Sequence, residues 1–137
     1  MLFAFFQPYK LVVVSGQSML PTYKDRQILI AKKTKDFKKS DVVVAYSDDR
    51  QLIIKRILYI PDEYYYYMFK KDGTFELILN NSYRSILEIK NHDDAYILEE
   101  KVPKDQFYIV GDNLKHSDDS RRFGSIHRND ILYKVIQ

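Results

Sequence analysis

No cysteine occurs among the 137 residues. That excludes thiol catalysis, disulfide frameworks and cysteine-ligated zinc sites, and it suits an oxidising exterior. Glycine and proline are both scarce, at four residues each. With so few glycines, each is expected where the backbone needs one. No apolar run approaches the roughly 20 residues that a membrane-spanning helix requires. Neither sign of charge dominates. The 22 basic and 19 acidic residues leave a net charge of +3, too balanced for nucleic acid as the main partner. His92, His116 and His127 lack metal-ligand spacing, so neither a metal nor another cofactor is expected.

What is present is a globular composition. The apolar fraction is 45% and there are 12 tyrosines. The length suits one domain with a core of its own. Aromatic and β-branched enrichment favours strands.

Along the chain, Met1–Phe6 is a short apolar stretch ended by Gln7-Pro8. It reads as a first strand or terminal packing segment, or as the outer end of a membrane anchor. It lacks the basic start of a secretory leader. Strands are predicted at Leu11–Val14, Gln27–Ala31, Asp41–Tyr46 and Gln51–Ile60, the last two forming a hairpin across a turn at Ser47–Arg50. Lys32–Ser40 reads as a basic connector. Tyr64–Phe69 and Thr74–Leu79 flank a Lys71-Asp72-Gly73 turn. Further strands are expected at Ser85–Lys90, Tyr96–Glu99, Phe107–Val110 and Asp130–Ile136, with a polar loop reaching to Gly124. No repeat and no long helix is evident. Short strands between turn signals predict an all-β fold. The expected organisation is residues 1–14 as the remnant of, or approach to, a membrane anchor, 15–61 and 101–137 as a β core, and 62–100 as an inserted β segment.

Three segments could carry chemistry. In Ser15-Gly16-Gln17-Ser18-Met19-Leu20-Pro21-Thr22 a glycine turn can present one hydroxyl beside free backbone N–H groups, as acyl transfer requires. The same residues also suit a plain strand-to-loop turn. In Ile53-Ile54-Lys55-Arg56-Ile57-Leu58, strand alternation places Lys55 on a face with Ile53 and Ile57. Burial there would favour the neutral amine, a candidate general base. Alternatively, Lys55 snorkels to water over apolar surface. The third segment, Gly111 to Gly124, is rich in Asp, Ser and Arg, and also fits a solvated turn-rich loop. The neighbours His116 and Ser117 are poor catalytic partners, since adjacent side chains on an extended segment point to opposite sides. Tyr64–Tyr67 fits a strand with one packed face, or a membrane-interface belt.

Taken in order, these segments resemble the type I signal peptidases, membrane-bound serine–lysine peptidases. Ser15–Thr22 looks like the family's nucleophile box, Asp41–Val44 like its next strand box, and Ile54–Ile57 like its lysine box. Gly111-Asp112-Asn113, Ser117, Asp119-Ser120-Arg121 and Gly124 resemble its last box. The resemblance implies an all-β fold of coiled antiparallel sheets and an endopeptidase that removes signal peptides from exported precursors, cleaving after small residues. It implies Ser18 as nucleophile and Lys55 as general base. Ser117 would hold the lysine amine by a hydrogen bond. Asp119 and Arg121 would form a supporting ion pair, and Asp112 would hold Arg56. The Ser18 N–H would supply part of an oxyanion hole, with Gly16 at the position where some members carry a second donor. Leu58–Asp62 departs from the glycine-containing turn that usually follows the lysine box. The implied partners are signal-peptide-bearing precursors and the membrane surface, with the catalytic domain on the extracytoplasmic face. A second reading is a signal-peptidase-like assembly factor for surface pili, with little turnover and pilins as partners. A self-cleaving repressor-type protease fits less well, because no DNA-binding helical domain is visible.

Overall fold

A computed structural model describes residues 8–79 and 95–136. The expected strand at Ser85–Lys90 and the Met1–Phe6 stretch lie outside the described residues.

Among the described residues, ten strands form two antiparallel sheets. The first five are β1 (Tyr9–Val13), β2 (Ile28–Lys33), β3 (Val42–Tyr46), β4 (Leu52–Tyr59) and β5 (Tyr64–Lys70). They are followed by β6 (Phe75–Leu77), β7 (Ala95–Lys101), β8 (Gln106–Val110), β9 (Ile126–His127) and β10 (Ile131–Val135). The large sheet has the order β1-β2-β10-β3-β4-β8-β9, and the small one β6-β5-β7. The all-β expectation holds.

The β3–β4 hairpin forms as its β-branched runs predict, with Val43 opposite Lys55 and Val44 opposite Ile54. Val42–Ala45 are buried throughout, as a strand covered on both faces requires. β2 extends beyond its expected end into the basic connector, because Lys33 donates to the Pro8 carbonyl and lies opposite Tyr133. The C-terminal strand β10 inserts between β2 and β3, which joins the two ends of the large sheet's sequence around one core. That core contains Phe37, Val43, Ala45, Ile57, Phe107, Ile109, Ile126 and Ile131.

A second cluster ties the small sheet to the large one. Tyr59, Tyr108 and Val110 pack against Tyr65 and Val102. The Tyr65 and Tyr108 rings lie 4.6 Å apart, and the Tyr67 and Tyr108 hydroxyls are hydrogen-bonded at 2.5 Å. Thus Tyr65 and Tyr67 turn inward, while Tyr64 on the opposite face is exposed. This is the strand with one packed face.

The polar stretch before Gly124 differs from a plain loop. Leu114–His116 forms a 3-10 turn and Ser120–Phe123 a single helical turn, α1. Asp119 starts α1 because its carboxylate accepts the Arg121 N–H, the usual way a cap satisfies an orphan donor. Gly124 ends it at a φ of 80°, where a side chain would be strained.

Candidate active site

Three elements converge at one point. The first is the turn after β1. Gly16 adopts a φ of 88° and gives its N–H to Asp25 Oδ1 at 2.8 Å. Met19, fully buried, anchors the turn in the protein. Ser18 beside it stays half-buried at the surface of a cleft.

The second is β4. Alternation sends Lys55 inward with Ile57 and Tyr59, and Lys55 is only 5% exposed. It does not snorkel. Its Nζ donates to Ser18 Oγ at 2.8 Å, a contact between residues 37 positions apart. Burial lowers the Lys55 pKa below the ordinary lysine value, and the charges of Asp119 and Asp118 offset only part of that effect.

The third is the segment from Gly111 to Arg121. A Cβ on Gly111 would lie 2.6 Å from both Ser117 Cβ and the Ser18 carbonyl oxygen. Glycine is therefore required by close approach, and this contact locks the segment against the Ser18 turn. Asp112 binds Arg56 through two bonds of 2.8 Å, Nε to Oδ1 and Nη2 to Oδ2. This is the paired geometry that suits guanidinium and carboxylate. Thr22 Oγ1 also donates to Asp112 Oδ2, at 2.5 Å. One carboxylate thus joins β4 to the turn that carries Ser18. Burial alone would raise the Asp112 carboxyl, but the bonds from Arg56 and Thr22 hold it below the usual range.

Asp119 is fully buried. Its carboxylate accepts from Gly111 N–H at 3.0 Å, Ser117 Oγ at 2.8 Å, and Arg121 Nε and Nη2 at 2.9 Å each. Desolvation pushes its pKa up, but these donors outweigh it and the net shift is downward. The expected Asp119–Arg121 and Asp112–Arg56 pairs are therefore formed. The bond implied between Ser117 and the lysine amine is replaced by another. Ser117 Oγ donates to Asp119, an ionised and stronger acceptor, while the amine bonds Ser18. His116 is exposed.

Three contributors carried no assigned role in the sequence reading. Thr22 braces Asp112, Asp25 holds Gly16, and Asn113 bonds the turn directly through its N–H to the Ser18 carbonyl at 2.9 Å. Thr22 and Asn113 stood inside the informative segments, so their position was a signal. Asp25 had none, because its partner is a backbone group whose direction depends on the φ of Gly16. No group of three or more His, Asp or Glu residues that could hold a metal ion occurs among the described residues.

A cleft of about 380 Å³ opens at the pair, lined by Leu11, Val13, Ile53, Tyr133, Ser18 and Lys55 among others. Its lining is mostly apolar, with the Ser18 hydroxyl and the Lys55 amine among its polar groups.

The description "Signal peptidase, peptidase S26" matches residues 1–136. The chain belongs to this signal peptidase family. It is 31% identical over 140 residues to signal peptidase I P of Bacillus subtilis subsp. natto, covering 93% of the chain and 73% of that relative. It is 32% identical over 130 residues to signal peptidase I of Bacillus amyloliquefaciens, covering 85% and 65%. Signal peptidase IB of Staphylococcus aureus is 28% identical over 141 residues, with 89% and 73% covered. Among solved structures, a signal peptidase I from Enterococcus faecalis V583 aligns with 74% of this chain and 97% of its own, at 19% identity and a TM-score of 0.47. Membership in the signal peptidase family makes the chain a peptidase. No helix among the described residues is long and apolar enough to cross a membrane.

Proposed function

We propose that this chain is an endopeptidase that removes signal peptides from exported precursor proteins, with Ser18 as nucleophile and Lys55 as general base. The observation that carries this reading is the 2.8 Å contact between Lys55 Nζ and Ser18 Oγ in the wall of a mostly apolar cleft.

The chemistry follows from the lowered lysine pKa. With the amine neutral, the same contact lets the hydroxyl donate its proton to Nζ as Oγ attacks the scissile carbonyl carbon. The carbonyl oxygen becomes an oxyanion facing the Ser18 N–H. Collapse breaks the C–N bond, and the leaving amine takes the proton from Lys55. An acyl-Ser18 ester remains. Water then attacks it, giving one proton to Lys55, and the signal peptide leaves as a carboxylic acid while Ser18 recovers its hydrogen. Arg56–Asp112 and Ser117–Asp119–Arg121 support the pair by fixing the segment beside it.

Substrate placement follows from the sheet. Among the described residues β1 is one edge of the large sheet, so its outer backbone groups are open to an added strand. A precursor lying extended along β1 would bring its carbonyl to Ser18. Leu11, Val13 and Ile28 are 75%, 60% and 65% exposed. The register pairs Val13 with Ile28 and Leu11 with Ile30, which places them on one face. Such an apolar stripe, continuous with the cleft that Leu11 and Val13 line, suits a membrane surface, and the extracytoplasmic face is the side where exported precursors emerge. The pilus assembly-factor reading gains no support from the relatives above.

The test is cleavage of a signal-peptide-bearing precursor in detergent by the chain, by Ser18→Ala and by Lys55→Ala. Cleavage after a small residue, lost in both folded variants, is the expected result. Retention of most activity in either variant overturns the assignment of that residue.

A further inference from the structure

We infer that Asn113 is a positioning residue that aims the Ser18 N–H at the oxyanion, an inference that rests on Ser18 being the nucleophile. A trans peptide holds its C=O and N–H pointing in opposite directions. Whatever fixes the Gln17 carbonyl therefore also fixes the Ser18 N–H.

The Gln17 carbonyl accepts from Asn113 Nδ2 at 3.1 Å and from Leu20 N–H at 3.2 Å. The next carbonyl, that of Ser18, accepts from the Asn113 N–H at 2.9 Å. One residue thus grips both carbonyls that bracket the Ser18 amide, one with its side chain and one with its main chain. The Ser18 N–H is turned away from Asn113, and among the described residues no acceptor takes it. That leaves a preorganised donor next to the attacking oxygen.

Asn113 is itself held. Asp112 before it is pinned by Arg56 and Thr22, and its own carbonyl accepts from the His116 N–H at 2.9 Å. Gly111 has no room for a side chain against the Ser18 carbonyl. An asparagine suits this place because it needs a side-chain donor at short reach. Aspartate has the same shape without the donor, and would set a negative oxygen against a carbonyl.

Removing an oxyanion donor outright typically costs about 100- to 1,000-fold in kcat. Misaiming one that remains should cost less, about 10- to 100-fold. The experiment compares wild type, Asn113→Asp, Asn113→Ala and Ser18→Ala on one precursor. Binding is also measured for a peptide aldehyde, whose serine adduct carries the oxyanion, and for an uncleavable amide peptide of the same sequence. Expected for both Asn113 variants is a kcat lowered about 10- to 100-fold with KM within about twofold. Aldehyde affinity should fall by a similar factor, amide-peptide affinity should hold, and in Asn113→Ala the acid limb of the pH profile should stay in place because no charge near Lys55 changes. Unchanged kcat in a folded variant overturns the inference. So does an equal loss of affinity for both peptides, which would mark a general collapse of the turn. If Asn113→Asp does not fold, Asn113→Ala decides, since it removes the donor without adding charge. Activity that survives Ser18→Ala would instead defeat the nucleophile assignment.

Discussion

Lys55 Nζ lies 2.8 Å from Ser18 Oγ, and the lysine that makes this contact is buried in a strand between apolar neighbours. A buried amine is costly to keep charged. The contact fixes the hydroxyl beside the amine, and burial disfavours the amine's charged form.

Ser18→Ala and Lys55→Met should each lower kcat about a thousandfold or more, because residues that act as one unit lose nearly everything singly. Circular dichroism should remain that of the wild type. Neither change removes core volume, so the melting temperature of Ser18→Ala should stay within a few degrees. Steady-state cleavage assays beside thermal melts check this.

Activity should fall as the pH drops through the lowered Lys55 pKa, as the base becomes protonated. The same shift affects stability. Between the folded value and the ordinary value of 10.5, the unfolded chain holds a proton that the folded chain does not. Stability therefore rises with pH across that window. In Lys55→Met that contribution disappears. Urea unfolding of both proteins across the alkaline range measures the difference.

Asp119→Ala should be destabilising by about 3 kcal/mol, because it leaves the Arg121 guanidinium without its partner in a mostly buried place. The Gly111 N–H also loses its acceptor. Asp119→Asn should cost less, since it keeps the shape and one acceptor oxygen. Both Asp119 and Asp112 have carboxyls held below the usual range. Their contribution is complete above the unfolded carboxylate value near 3.8 and is lost as pH falls through the lower folded values. Acid unfolding of the wild type should thus be steeper than that of Asp112→Asn.

Gly111→Ala should damage both fold and activity. The added methyl meets the Ser117 side chain and the Ser18 carbonyl, and overpacking of this kind costs about 1–3 kcal/mol. Gly16 has open space around its Cβ position, so Gly16→Ala should act only through its φ of 88°. Its penalty should be about 1 kcal/mol. Chemical denaturation of the two variants separates close approach from backbone strain.

Much of this protein is local in origin and so was legible along the chain. The β-branched run at Val42–Ala45 and its partner at Leu52–Tyr59 make a hairpin by periodicity and turn residues alone. Ser18, Lys55 and the Gly111–Gly124 segment stand out by residue type and order. Alternation placed Lys55 with Ile53 and Ile57, but it left open whether that face was buried. Tertiary structure decided this, because burial depends on β3, the Ser18 turn and the Gly111 segment closing around the amine. It also decided that Ser117 gives its hydrogen to Asp119, since the nearest strong acceptor is a matter of distance in space. The insertion of β10 between β2 and β3, and the grip of Asn113 on Gln17 and Ser18, join segments about 90 or more residues apart. Sequence patterns report a residue's own preferences, whereas such contacts arise only once a shared core fixes where distant segments meet.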